Sequence, residues 1–343
     1  MKAWMLYGIT SVATDDAPLV WTDVATPRPA AGEVLIRVRA CGVCHTELDE
    51  IEGRTPPPQL PMIPGHQVVG EIVDCGSGVG GWRVGDRVGV GWIYRSCLSC
   101  AWCLSGQENL CPRFEGTGRD RNGGYAEFLT APAPFITRVP DALADLEAAP
   151  LLCAGAIGFR SLQLTGLRNG QSLGLTGFGA SAHLVLQMAR LRHPASPIFV
   201  FARSPHERAF ALEHGAVWAG DTYDAAPEPV QAIIDTTPAW GPVVAALDNL
   251  LPGGRLVINA IRKEETDKSQ LLDLQYARHL WMEKEIKSVA NVTRADIQSC
   301  LEWAAQGAIR PAVVEYPWTE ANRALVELKR QHVRGAKVLR MPA

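Results

Sequence analysis

Cys97, Cys100, Cys103 and Cys111 lie in the stretch CLSCAWCLSGQENLC, separated by two, two and seven residues. Nearly half of the chain's nine cysteines therefore fall in one short segment. Thiolates are soft ligands, and a two-residue gap lets a turn aim successive sulfurs at one point, so the spacing predicts a closed tetrahedral zinc site. Two disulfides or four unrelated thiols are the alternatives. The tight spacing and a cytosolic reading of the chain favour zinc. Four cysteine ligands leave no open coordination position, so such a site staples a lobe and takes no substrate.

A second chemical signature is LGLTGFGASAH, which reads as strand, tight turn and helix. Gly177 and Gly179 occupy the first two positions of a dinucleotide fingerprint, and Ala182 takes the third, where Gly or Ala permits close helix–strand packing. Such a turn brings backbone N–H groups and a helix N-terminus to a pyrophosphate. An NAD site usually carries an acid about 20 residues further on, bonding the ribose 2′-hydroxyl. No acidic residue occurs between Gly177 and Glu207. Ala202 stands where the acid is expected, followed by Arg203 and Ser204. An uncharged corner with a following Arg accepts a 2′-phosphate, so NADP(H) is favoured over NAD(H). The competing reading of Arg203 is a solvated side chain, or one stacked on adenine without selecting.

These residues need a scaffold. The length of 343 residues accommodates two domains. Up to about residue 150, KAWMLY, EVLIRVRA, QVVGEIVD and DRVGVGW are short, β-branched or alternating, and bounded by Gly and Pro. Beyond it, QSLGLTG, PIFVFA, AVWAG, VQAIID, GRLVINA and EIKSVA are strand-like, and helical patterns such as ASAHLVLQMARL, SPHERAFALEHG and GPVVAALDNLLPGG lie between most of them. That alternation predicts an α/β fold with a doubly wound parallel sheet. The tail contributes helix, strand, helix and strand, and is read as rejoining the first domain. The formal net charge of −3 offers no basic excess for phosphate neutralisation, which disfavours nucleic acid. No apolar run is long enough for a spanning helix and the first residues lack a signal-peptide pattern, so a cytoplasmic protein without a membrane partner is expected.

Three further stretches, CGVCHTELDE with Cys44, PGHQVVG with His66 and PLLCAGAIG with Cys153, are weak signals singly. Together with the four-cysteine lobe, GWRVGDRVGVGW and GFGASAHLVLQMA, in this order along the chain, they resemble the zinc-dependent medium-chain alcohol dehydrogenases, most closely the yeast-type branch. The resemblance implies a β-rich GroES-like catalytic domain over 1–154 and 290–343 and a dinucleotide-binding domain over 155–289. It implies two Zn²⁺ per chain, the second held by Cys44, His66 and Cys153 with a fourth position open for catalysis. Thr46 is then the first member of a proton relay, and His45 a contact to the pyrophosphate. Glu47 stands where relatives orient the zinc-bound imidazole with Asp, and Gln67 where they usually carry Glu.

The relay normally ends at a His three residues after Thr46; here that residue is Asp49, either a proton acceptor or a helix-surface carboxylate. A C-terminal basic residue of relatives appears as Ala336, with Lys337 or Arg334 as substitutes. Trp92 matches an aromatic of the substrate pocket, Ile157 could face the same cleft, and a second aromatic of relatives is unmatched, with Thr55 nearby; plain core packing is the alternative for Trp92 and Ile157. Cys41, Cys75 and Cys300 are assigned to packing. The implied activity is hydride transfer between a nicotinamide and small to medium primary or secondary alcohols or their aldehyde and ketone partners. A homodimer or homotetramer is expected, associating near the apolar stretch 254–261. The alternative is a zinc-stapled regulatory or binding protein that senses nucleotide without efficient dehydrogenase activity; retention of Cys44, His66, Cys153 and Thr46 argues against it.

Overall fold

The computed structural model describes residues 1–307, 309–330 and 335–342. The chain divides into two compact units: Met1–Ala156 with Val292–Gly307 and Pro311–Ala343, and Ile157–Asn291 with Ala308–Arg310.

The first unit opens with β1 (Lys2–Met5) paired antiparallel to β2 (Val20–Asp23). Then follow β3 (Glu33–Val43), α1 (His45–Ile51), β4 (Val68–Cys75), β5 (Arg87–Val90) and β6 (Ile93–Arg95). The one-turn helix α2 (Ala101–Leu104) lies within the cysteine-rich lobe, and β7 (Glu115–Gly116) closes the lobe by pairing with β6. After β8 (Phe128–Pro132), β9 (Ile136–Arg138) and α3 (Asp145–Pro150), the chain enters a π-helical turn, Leu151–Gly155, and then α4 (Ala156–Thr165). β3 is the backbone of this unit: its alternating apolar residues Val34, Ile36 and Val38 are buried, and it pairs antiparallel with both β4 and β8.

The second unit carries β10 (Leu173–Thr176), α5 (Ala180–Arg192), β11 (Ile198–Phe201), α6 (Pro205–Glu213), β12 (Trp218–Gly220), β13 (Val230–Asp235), α7 (Gly241–Asp248), β14 (Leu250–Ile258) and β15 (Glu285–Ser288). The six strands pair in the order β12-β11-β10-β13-β14-β15, all parallel. Each expected strand-like segment of this region forms a strand. β10 and β11 are buried along their whole lengths, as expected of central strands covered by helices on both faces. The expected helix over 241–254 is shorter. It stops at Asp248, and Leu250 already pairs with Val230. The stretch 254–261 is also not an edge: Leu256 and Val257 are fully buried, and the edge on that side of the sheet is β15, all four residues of which are exposed.

The tail adds α8 (Arg294–Ala305), β16 (Val313–Pro317), α9 (Ala321–Arg330) and β17 (Ala336–Arg340). β17 pairs antiparallel with β3 and parallel with β16, completing a seven-stranded sheet. Tryptophans tie this tail to the N-terminus. Trp21 packs edge-on against Trp4 at 4.9 Å and Trp318 at 4.4 Å between ring centroids, and Trp4 Nε1 donates to the Trp318 carbonyl at 2.8 Å. Large aromatic burial of this kind dominates core energetics. Trp318→Ala is therefore expected to cost about 3–5 kcal/mol, read as a lower denaturation midpoint with loss of the tryptophan-cluster fluorescence signal.

Candidate metal and nucleotide sites

Cys44 is the N-cap of α1, in extended conformation, and its sulfur accepts the Thr46 N–H at 3.4 Å. His66 lies in the segment before β4. There Gly65 takes φ +97°, and a Cβ on it would sit 2.3 Å from the Tyr125 ring. Only glycine lets the chain pass so close to that aromatic and still turn His66 inward. Cys153 sits in the π-helical turn that follows Pro150, a wide turn of the sort often found at functional sites.

The three side chains converge. His66 Nε2 is 3.2 Å from Cys153 Sγ and 3.8 Å from Cys44 Sγ, and all three ligand atoms lie within 4.8 Å of one another. A tetrahedral zinc with bonds of about 2.0–2.3 Å holds neighbouring ligand atoms roughly 3.5–3.8 Å apart, so the donor set fits that ion. Glu47 Oε1 faces His66 Nδ1 at 2.6 Å while Glu47 Oε2 accepts the Cys44 N–H at 2.8 Å. The Cys44 thiol is held well above its usual range by the adjoining Cys153, by burial and by Glu47. His66 is pushed well up by Glu47 and Cys44 although burial opposes the shift. Electron-rich groups crowded around one point are what a cation relieves.

In the lobe, Cys103 Sγ is 3.8 Å from Cys97 Sγ and 3.6 Å from Cys100 Sγ, and the four sulfurs lie within 4.8 Å of one another. These separations exclude S–S bonds, and all nine cysteines are free. Leu98 takes φ +56°, folding the chain so that the Cys100 N–H returns to Cys97 Sγ at 3.3 Å. Backbone N–H groups of Cys97 and Arg113 point at Cys111 Sγ. Bonds from Ser99, with Cys100 and Arg113, draw the Cys97 thiol down to about 5. A thiol so disposed ionises readily and is ready to ligate.

Asp49 is not a surface carboxylate. It is 3 % exposed and accepts Arg54 Nε at 2.6 Å. Lys337 does not reach outward: its side chain is buried and its ammonium bonds the Tyr316 hydroxyl and Glu327. Ala336 is buried as well, and Arg334 lies outside the described residues. His45, the first residue of α1, is exposed, and Thr46 is half-buried. Trp92 packs on Phe114 with centroids 4.9 Å apart. Ile157 belongs to the other compact unit. Cys41 and Cys300 are fully buried, and Cys75 packs at the margin of the core.

In the second unit, Gly177 has φ +77°, and a Cβ there would meet Thr236 Oγ1 at 2.9 Å. Gly179 is the N-cap of α5 and opens onto free space, the clearance a pyrophosphate needs. Ala182 is fully buried in α5. Arg203 is exposed, and Ser204 caps α6 without using its hydroxyl. Sequence reasoning missed Arg208, whose guanidinium bonds the Ala202 carbonyl at 2.7 Å and Asp221 at 3.1 Å, closing the carboxyl end of β11. It also missed Glu50, fully buried near Glu47, His66, Trp92 and Arg119.

The alcohol dehydrogenase GroES-like domain family matches residues 30–141, and the zinc-binding dehydrogenase family matches residues 216–339. A probable alcohol dehydrogenase of Mycobacterium tuberculosis is 43 % identical over 95 % of this chain and 93 % of its own length. The chain belongs to the zinc-binding medium-chain alcohol dehydrogenase family. An alcohol dehydrogenase of Geobacillus stearothermophilus is 33 % identical over 93 % of this chain and 94 % of its own. The solved structure of a cinnamyl alcohol dehydrogenase of Sorghum bicolor superposes with TM-score 0.83 at 27 % identity, covering 99 % of this chain and 97 % of that one. The protein is thus an oxidoreductase acting on CH–OH groups, of the zinc-containing, NAD(P)-dependent kind. A purely regulatory role is not favoured. Among the described residues no helix is long and apolar enough to cross a membrane.

Because one Glu47 oxygen meets the imidazole and the other the Cys44 backbone, Glu47→Ala is expected to weaken the first site about 10–100-fold. Competition with a chromophoric chelator should show one metal equivalent released early, with the four-cysteine equivalent unchanged.

Proposed function

We propose that this dehydrogenase holds two zinc ions per chain, favours NADP(H), and interconverts small to medium primary or secondary alcohols with their aldehydes or ketones. The observation that carries the reading is the convergence of Cys44, His66 and Cys153, with Glu47 behind the imidazole. Three protein ligands leave the open position that catalysis requires, whereas Cys97, Cys100, Cys103 and Cys111 form a closed, structural set. Zinc at the open site supplies Lewis acidity toward the substrate oxygen, and the nicotinamide supplies the redox change.

The chain's own groups do the rest. The Thr46 hydroxyl, which both accepts and donates, moves the substrate's proton at Oγ1. Asp49 is committed to Arg54, so water replaces the last relay step. Gly177 and Gly179 receive the pyrophosphate while Ala182 packs α5 closely on the sheet behind them, and His45 contacts it from its exposed place on α1. Gln67 leaves the site one negative charge short of its relatives. Trp92 walls the alcohol side, which keeps the yeast-type assignment part of this proposal, and Ile157 adds an apolar contact. The sorghum neighbour's name supports including aryl alcohols in the range.

Support for NADP(H) comes from the end of β11, where Ala202 replaces the usual acid, Arg203 is exposed and the Ser204 hydroxyl is uncommitted. Asp221, the residue after β12, pairs with Arg208 at 3.1 Å. Metal analysis should return two zincs per chain and titration should give tighter NADPH than NADH; one zinc, or neither dinucleotide bound, would overturn the reading. Arg203→Ala should cost about tenfold in NADPH affinity and leave NADH within about twofold.

Association as a homodimer or homotetramer is part of the proposal. The free edge of β15 offers unpaired backbone groups to the same strand of a second copy. Light scattering at micromolar concentration should give a multiple of the chain mass; a monomer refutes it.

A further inference from the structure

The parallel sheet reverses its strand order between β10 and β13: β11 and β12 lie to one side, β14 and β15 to the other. In such sheets ligands bind outside the carboxyl ends of the strands at the reversal. Two loops meet there, the glycine turn after β10 and residues 236–240 after β13. They touch: Thr236 N and Oγ1 both donate to the Thr176 carbonyl, at 2.9 and 3.0 Å, and a Cβ on Gly177 would lie 3.1 Å from Thr237 Cγ2.

The second loop is held from a distant segment. Lys263 pairs with Asp235, the last residue of β13, and both side chains are buried, 8 % and 0 % exposed. The same ammonium donates to the carbonyls of Thr237 at 2.8 Å and Ala239 at 2.9 Å. Asp235 Oδ1 accepts the Thr237 hydroxyl at 2.7 Å. Further along, the Glu264 N–H donates to the Pro238 carbonyl at 2.7 Å, and Asp267 accepts the N–H groups of Trp240 and Gly241 at 2.7 and 2.9 Å. A buried ion pair is weak evidence for stability, because desolvation offsets its attraction. What this pair does is fix two carbonyls of one loop, together with the carboxylate that ends β13, about a single cation.

We infer that Lys263, with Asp235, is a positioning residue for the nicotinamide half of the bound dinucleotide, acting through the 236–240 loop. The inference rests on the dehydrogenase reading. The adenosine ribose is read at the end of the second strand, β11, so the other half of the dinucleotide crosses toward β13. Lys263 therefore shapes one half of the site and leaves the other untouched.

Calorimetric titration separates the halves, using NADPH and 2′-phospho-ADP-ribose, which lacks nicotinamide; NADH and ADP-ribose serve if NADH binds tighter. Lys263→Met should weaken the dinucleotide about tenfold or more while the fragment stays within about twofold. Asp235→Asn, which keeps the side-chain shape, should weaken it less and in the same pattern, and is read alone if Lys263→Met does not fold. Equal losses for dinucleotide and fragment would reduce the pair to a structural brace, and no loss for either would remove it from cofactor binding; both overturn the inference. Wild-type protein that binds neither molecule would instead sink the dehydrogenase reading beneath it.

Discussion

The carboxylate of Glu47 is the hinge on which the candidate catalytic centre turns. It is fully buried, and its two oxygens are divided between the backbone N–H of Cys44 and the imidazole of His66. One oxygen thus closes the first turn of α1 and fixes a sulfur at its N-cap. The other fixes the tautomer that leaves His66 Nε2 turned toward both sulfurs. A buried carboxylate is costly unless it is fully engaged. Here that cost is offset by a local capping bond and a long-range contact made by the same group. The longer Glu side chain spans both partners from a seven-residue helix. A ligand from 22 residues away is thereby locked to the helix that presents the first one.

The two cysteine-bearing sites differ in how they are assembled, and so in how far the sequence reveals them. The lobe is local: a left-handed residue at Leu98 and N–H groups aimed at sulfurs suffice, and the spacing of cysteines exposes it at once. The mixed site is non-local. Its parts come from a helix cap, a glycine-dependent inward turn against Tyr125, and a π-helical widening after Pro150. None of these is visible as spacing, which is why only a family resemblance groups Cys44, His66 and Cys153 before the fold is known.

The same division runs through the fold. Buried strands of the parallel sheet stand out because their residues are continuously apolar, and the glycine fingerprint stands out because the turn tolerates little else. The end of α7 is not legible: Leu250 and Leu251 continue the helical spacing of Val243 and Leu247, yet Leu250 is captured by Val230 in the neighbouring strand, a tertiary pairing that propensity does not encode. The apolar 254–261 stretch suggests the strand where subunits associate, but apolar character marks the interior strand β14 while the polar EIKS forms the edge beside it. Asp49 reads as a free carboxylate until Arg54 is seen to hold it, and Asp235 and Lys263 are 28 residues apart in sequence, beyond any local pattern.

Charge around His66 accounts for one departure from the family pattern. Glu47 and Glu50 are both fully buried, and both lie close enough to act electrostatically on the imidazole and on each other. Burial, followed by the charge of Glu47, drives the Glu50 carboxyl well above its usual range, with His66, Arg119 and the Trp92 indole opposing the shift. A third acid at the residue following His66 would concentrate repulsion in a region of low dielectric, where like charges are least screened. The neutral amide of Gln67 occupies that position instead; its Nε2 is buried with no hydrogen-bond partner among the described residues, and its side chain fills the space beside Gly42.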